Sequence, residues 1–305
     1  MKILVTGATG FIGKTLCKEL LDHGHQLIVL SRSEKKAKSV FGNSVEVVEG
    51  DLLNTVPNLI GRKIDAVVHL AGDSIASGRW TPNKKEAIRK SRILGTENLV
   101  TALNALGGSG PSVLISANAV GYYGDRGDEI LSESAKAGEG FLAEVCRDWE
   151  RAVISRSAGR RVVIFRMGMV LGKEGGVLRQ MLPVFRRGFG AVLGSGRQWV
   201  SWIHIDDLCK VIELALSKPW RGVIHAAAPE PVMNKQLSKS LGRALRRPVL
   251  LKIPEVILNL VFGEMAQVLL ASQRVEPAFL KTEGFGYSYP QMDQALLNII
   301  SDKSQ

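Results

Sequence analysis

Thr6-Gly7-Ala8-Thr9-Gly10-Phe11-Ile12-Gly13 is the stretch on which the fold turns. Before it, Lys2-Ile3-Leu4-Val5-Thr6 is a short β-rich run. After it, Phe11–His23 sets apolar residues at 12, 16, 20 and 21 and stops before Gly24, a natural helix C-cap. The glycines, spaced G-x-x-G-x-x-G, therefore stand where a strand turns into a helix. In that context each has a physical task. Gly7 permits a tight turn, Gly10 lets a pyrophosphate approach backbone that carries no Cβ, and Gly13 lets the helix pack close to the strand. The helix N-terminus then offers unpaired N–H groups to the phosphates. A purely structural turn is the alternative, and a lone glycine pattern would not exclude it.

Downstream, Gln26–Ser31 forms a second strand and is followed by Arg32 and Ser33. A site for NAD ordinarily carries an acid here for the ribose 2′-hydroxyl. None is present, while Arg32 is cationic and Ser31 and Ser33 carry hydroxyls, so NADP(H) is the expected cofactor. Arg32 as a plain surface arginine is the alternative. Further strands are expected at Val45–Val48, Asp65–His69, Ser112–Ser116 and Arg161–Arg166, with helices at Thr81–Leu106 and Gly140–Ala158. Continuous apolar strands alternating with helices indicate a parallel sheet covered on both faces. The expected fold is α/β: a Rossmann-like, doubly wound parallel sheet with a smaller C-terminal substrate lobe. Residues 1–166 form the cofactor domain and 167–305 the lobe, with a segment near 199–228 returning to the sheet through a strand at Val223–Ala227. Helices are expected at Asn234–Leu245, Pro254–Ala271 and Met292–Ile300, the second as an amphipathic helix packed on the protein.

The totals bound the function. A chain of 305 residues with 45% apolar and 23% charged residues can bury a sizeable core. The net charge of +11 fits a solvated basic surface or a basic cleft for an anionic ligand. No nucleic-acid module accompanies it, so no nucleic-acid partner is expected. Cys17, Cys146 and Cys209 are odd in number and without metal-ligand spacing, which argues against a disulfide framework and a zinc site. No signal peptide and no membrane span is apparent, and the expected location is cytoplasmic.

Four motifs together resemble the extended short-chain dehydrogenase/reductases: Thr6–Gly13, Gly50-Asp51-Leu52, Val68-His69-Leu70-Ala71-Gly72, and Trp202-Ile203-His204-Ile205-Asp206-Asp207-Leu208. Val68–Asp73, Arg79-Trp80-Thr81, Ala119-Val120-Gly121-Tyr122-Tyr123-Gly124-Asp125, Trp149-Glu150 and Gly194-Ser195-Gly196-Arg197-Gln198 narrow the resemblance. They are similar to the atypical "epimerase family" group of 39U1 type, whose C-terminal region Leu250–Ile300 resembles. The resemblance implies a cofactor site formed by Gly7, Thr9, Gly10, Phe11, Ile12, Gly13, Ser31, Arg32, Asp51, Leu52, Leu70, Ala71, Gly72 and Asp73. Asp51 is expected beside the adenine. The resemblance also makes a homodimer one expected assembly.

Active members of that superfamily carry a Ser or Thr after the fifth strand and a Tyr-x-x-x-Lys on the next helix. The tyrosine moves a proton while the cofactor moves a hydride. Those positions fall here on Asn118, Phe141 and Val145, and no Tyr-x-x-x-Lys occurs anywhere in the chain. The remaining candidates for a proton donor are Tyr123, Tyr122, Asp73 or a water held by Asn118. Val200-Ser201 stands where nucleotide-sugar enzymes carry Arg-Asp, so Arg197 with Trp199 is the expected alternative for an anionic substrate. No metal site is expected. Two functions follow: an NADP(H)-dependent oxidoreductase acting on a small carbonyl or alcohol through non-standard residues, or a non-catalytic NADP(H)-binding sensor that regulates a protein partner.

Overall fold

The computed structural model describes residues 1–157 and 159–301. Its first half alternates strand and helix. β1 (Lys2–Thr6), α1 (Phe11–Asp22), β2 (Gln26–Ser31), α2 (Glu34–Phe41), β3 (Glu46–Glu49), β4 (Ala66–His69), α3 (Pro82–Asn104) and β5 (Val113–Ala119) come first. A short β6 (Ile130–Leu131), α4 (Phe141–Arg156) and β7 (Arg161–Met167) follow. The second half contains β8 (Met169–Leu171), α5 (Gly176–Arg186), β9 (Ala191–Leu193), β10 (Trp199–Val200), β11 (Trp202–His204), α6 (Ile205–Ser217), β12 (Gly222–Ala226), β13 (Val232–Met233) and α7 (Asn234–Leu245). It closes with β14 (Leu251–Ile253), α8 (Glu255–Phe262), α9 (Ala266–Leu270), β15 (Arg274–Val275), α10 (Ala278–Thr282) and α11 (Met292–Ser301).

Seven strands form one parallel sheet in the order β12-β7-β5-β4-β1-β2-β3. The fold is Rossmann-like α/β, as the apolar strand runs indicated. α1 buries Gly13, Leu16, Cys17 and Leu20, an i, i+3, i+4, i+7 stripe. With α6 it covers one face of the sheet, while α3 and α4 cover the other. β12 does return to the sheet, at its edge beside β7. A separate core joins α5, α7 and α11 around Trp202.

Three expectations change. The helix expected over Pro254–Ala271 is broken, because Gly263 takes φ +60° and separates α8 from a short turn and α9. Nor is it packed as expected: Val256 and Leu260 are 77% and 75% exposed, and only Leu258 of α8 is buried. The helix expected over Gly140–Ala158 ends at Arg156, and Ala158 lies outside the described residues. Helices α2, α5 and α6 were not expected. α5 opens on two glycines and contains Pro183, and α2 is short and lysine-rich. Among the described residues no helix is long and apolar enough to cross a membrane.

Candidate functional site

The carboxyl ends of β1, β2, β3, β4 and β5 lie along one edge of the sheet, in register from Thr6 with His69 to His69 with Ser116. Open α/β sheets bind ligands at this edge. The expected cofactor residues therefore converge: the loop 7–13, Ser31 and Arg32, Asp51 and Leu52, and the segment 70–73.

The glycine loop fits a dinucleotide on its own geometry. Gly7 has φ +71°, and a Cβ there would lie 2.7 Å from the Leu70 carbonyl carbon. A Cβ on Gly13 would lie 2.3 Å from the Gly7 oxygen, so the helix could not seat. Gly10 differs: the nearest protein atom to its missing Cβ is the Gly7 oxygen at 3.1 Å, and the residue is exposed. Two glycines are thus required by the protein itself, while the third keeps an open backbone surface at the start of α1. α1 carries no side-chain cap, so its first N–H groups are left for a ligand. The Phe11 ring lies against Gly172, Gly175 and Gly176, where a Cβ on Gly175 would come within 2.4 Å of the ring. The glycines after residue 172 thereby admit a cradle side chain.

Behind the loop sits His69, fully buried and held at a pKa of about 4 by desolvation and the nearby Arg92 charge. Its tautomer follows from its neighbours. The Thr96 hydroxyl donates to the Arg92 carbonyl, so its oxygen accepts Trp149 Nε1–H at 2.9 Å and His69 Nε2–H at 3.0 Å. His69 Nδ1 is then an acceptor for the Thr6 hydroxyl at 2.7 Å, and Thr6 Oγ1 accepts the Ala71 N–H at 3.3 Å. This closed chain locks the end of β1 to the Leu70–Gly72 turn.

Around the ribose end, Ser31 departs from expectation. Its hydroxyl donates to the Ser33 carbonyl at 3.1 Å, so it shapes the turn rather than facing a ligand. Ser33 Oγ accepts the Lys36 N–H at 3.2 Å and keeps its own proton to donate. Arg32 is exposed, and its guanidinium has no partner among the described residues. The Asp51 carboxylate accepts Leu53 N–H at 3.0 Å and Asn54 Nδ2 at 2.8 Å.

The proton-donor candidates separate sharply. Both Asn118 amide N–H groups are spent inside the protein. Its amide donates to Glu150 Oε1 (2.8 Å) and the Cys146 carbonyl (3.0 Å), and its oxygen accepts Ala119 N–H. Tyr123 is fully buried, and its pKa is pushed up to about 12 by desolvation. His225 donates Nδ1–H to the Glu276 carbonyl, so its Nε2 takes the Tyr123 proton at 2.5 Å, while Arg166 donates to the same phenol at 2.7 Å. That proton is committed inside the protein, which removes Tyr123 from the proton-donor candidates. The Asp73 carboxylate is ion-paired with Lys84. Tyr122 is different. It is half-buried, and its hydroxyl has no hydrogen-bond partner among the described residues. The Arg166 guanidinium lies 3.4 Å from its ring centroid.

The pairing of Arg166 with Glu150 escaped the sequence reading. Both are buried, joined by two bonds of 2.7 and 2.8 Å. Burial opposes the Arg166 charge, but the bonds to Glu150 outweigh it and raise its pKa. An arginine closing the apolar strand Arg161–Arg166 was the available signal. At the positions of the missing tyrosine and lysine, Phe141 packs edge-on to Trp80 and Val145 is buried with Trp80, Ile88 and Met265. Trp199 gives its N–H to Asp128 at 2.7 Å and is stacked by Arg274, at 4.3 Å, rather than by the exposed Arg197.

Residues 3–227 match the model of the NAD dependent epimerase/dehydratase family, and residues 253–299 match a domain of unknown function, DUF1731. The chain belongs to the NAD dependent epimerase/dehydratase family. Within it, the Arabidopsis thaliana epimerase family protein SDR39U1 homolog, chloroplastic, is 41% identical, covering 98% of this chain and 87% of that protein. Epimerase family protein YfhF of Bacillus subtilis is 35% identical over 99% of both. Human epimerase family protein SDR39U1, solved with NADPH, superposes with a TM-score of 0.88 at 31% identity, covering 99% of this chain and all of that one. The resemblance stated from the motifs is therefore borne out at the level of the epimerase-family group.

Proposed function

We propose that this chain is an NADP(H)-dependent oxidoreductase of the epimerase family in which Tyr122 handles the proton. The observation that carries this reading is the Tyr122 hydroxyl, without a hydrogen-bond partner among the described residues, on a ring whose face is covered by the Arg166 guanidinium, after the β5 end of the sheet edge that holds the glycine loop. Gly10 and the start of α1 would receive the pyrophosphate, Asp51 would lie beside the adenine, and Arg32 and Ser33 would meet the 2′-phosphate. The NADPH in the related human structure supports that choice of cofactor. When bound, NADPH supplies a hydride to a carbonyl carbon. Tyr122 gives its proton to the carbonyl oxygen and regains one from solvent. Arg166 is the fixed cation against that tyrosine's ring; Glu150 holds it, and Asn118 in turn donates to Glu150. Arg274 stacked on Trp199, with Arg197 nearby, suits an anionic group on the substrate. Three buried, unpaired thiols suit a reducing compartment such as the cytoplasm.

The test is NADPH oxidation across a panel of carbonyl acids and aldehydes. Tyr122→Phe is expected to abolish turnover while NADPH affinity stays unchanged, and Tyr123→Phe to lower stability instead. Turnover that survives Tyr122→Phe overturns the assignment. The second reading, a non-catalytic NADP(H) sensor with a protein partner, is favoured by the apolar packing at Phe141 and Val145. It predicts no turnover with any acceptor and partner binding that depends on the cofactor's redox state.

A further inference from the structure

The strongest surface feature lies away from the sheet edge, around α8. Val256 and Leu260 form one i, i+4 pair on this helix and Ile257 and Val261 a second, so the four make a continuous stripe. Their exposures are 77%, 75%, 48% and 53%. Just before the helix, Leu250 and Leu251 are exposed as well. β14 pairs with β9, Leu251 opposite Ala191, which brings the exposed Phe189 to the same end as Leu250. Single exposed apolar residues are ordinary, but four on one face of a helix mark an interaction surface.

The charges around it say what covers it. Segments 184–191 and 246–262 contain Arg186, Arg187, Arg246, Arg247 and Lys252 against a single carboxylate, Glu255. All five cations are exposed, and none has an ion-pair partner among the described residues. An apolar stripe that follows β14, with unpaired cations on the segments leading into the paired strands β9 and β14, complements a surface that is apolar within and anionic at its face. At eight residues, α8 is too short to span a bilayer but suits its interface.

We propose that this face docks the protein onto an anionic lipid bilayer. The α8 stripe, Leu250 and Phe189 enter the boundary between headgroups and acyl chains, and the five cations sit on the headgroups.

Sedimentation with lipid vesicles tests this on the full chain. The wild type is expected to pellet with phosphatidylcholine vesicles containing about one third phosphatidylglycerol, to stay in solution with phosphatidylcholine alone, and to be released by salt. Val256→Asp with Leu260→Asp should abolish pelleting. Arg246→Gln with Arg247→Gln should weaken it about thirtyfold. Both pairs are on the surface, and far-UV circular dichroism checks that they fold; should the aspartate pair fail to fold, the arginine pair alone decides. Absence of wild-type binding to anionic vesicles overturns the proposal, as does binding that ignores the arginine pair. A lipid-free dimer that the Val256→Asp, Leu260→Asp variant dissociates also overturns it, since a second copy would then cover the stripe.

Discussion

The glycine cradle and the proton-handling end occupy one sheet edge, yet they are made of different material. The cradle is backbone: Gly7 and Gly13 let β1, α1 and the Leu70–Ala71 turn touch, and His69 bolts that contact from behind. The other end is side chains from separate elements. Tyr122 follows β5, Arg166 lies on β7, Glu150 comes from α4 and His225 from β12. The cradle is a glycine-spaced strand-to-helix turn, whereas positions 141 and 145 are part of an apolar cluster. Binding a dinucleotide and moving a proton are therefore separable properties of this edge, and each can be attacked without the other.

The largest separation is expected at Glu150. Glu150→Ala leaves Arg166 buried and without its bidentate partner, a change that typically costs about 3–5 kcal/mol. Urea denaturation should show that loss, while the protein that remains folded binds NADPH with unchanged affinity. A loss below about 1 kcal/mol would mean that water or Tyr122 already carries the arginine charge.

Restoring the superfamily pair comes next. In Phe141→Tyr with Val145→Lys, the lysine would enter a site lined by Trp80, Ile88 and Met265, where its ammonium has no partner. Destabilisation of about 3 kcal/mol is expected, with no gain in NADPH turnover. A stable double variant that reduces carbonyls faster than wild type would show that the apolar cluster is mere loss and that Tyr122 is a bystander.

Legibility in the sequence divides along the same line. β1, β2 and α7 were placed to the residue, and the glycine turn between β1 and α1 was legible, because a strand, three glycines and a helix are local and each constrains its neighbours. Asn118 was singled out, but the use of its amide by Cys146 and Glu150 was not visible, since those contacts span 28 and 32 residues. Tyr122 and Tyr123 are adjacent in sequence and equivalent on paper. Only the fold delivers His225 to one of them and leaves the other open. α8 misled for another reason: its apolar run indicated burial, and nothing local says that a helix will lack a partner.

His69 allows the cradle to be probed by pH alone. A histidine held at about 4 in the fold but near 6.5 when unfolded stays neutral while the unfolded chain takes up its proton. Its contribution is therefore present above about 6.5 and lost as pH falls towards 4, a change of about 3 kcal/mol. Glu19, raised to about 7 by burial and by Asp206 and Glu213, acts in the opposite sense: its contribution is present below about 4.5 and lost as pH rises to about 7. The wild-type profile thus mixes both. The difference between wild type and His69→Gln isolates the histidine, because glutamine can still donate to Thr96 and accept from Thr6. Parallel wild-type and variant profiles between pH 4 and 6.5 would show that His69 is not held neutral.

The smallest expected effect is the one that names the cofactor. Arg32 is exposed, so its bond to a 2′-phosphate would be screened and worth the lower end of a charge-assisted hydrogen bond, about tenfold in affinity. Arg32→Ala should weaken NADPH by that factor and leave NADH untouched, since the two ligands differ only in the phosphate this residue would meet. Fluorescence titration of each nucleotide measures both at once, and added salt should shrink the NADPH difference in the wild type but not in the variant. Ser33 would hold part of the selectivity through its free hydroxyl proton, so Ser33→Ala on top of Arg32→Ala should remove what remains. If both nucleotides weaken equally in Arg32→Ala, the arginine supports the β2–α2 turn rather than the phosphate. Cofactor choice would then have to come from elsewhere on the sheet edge.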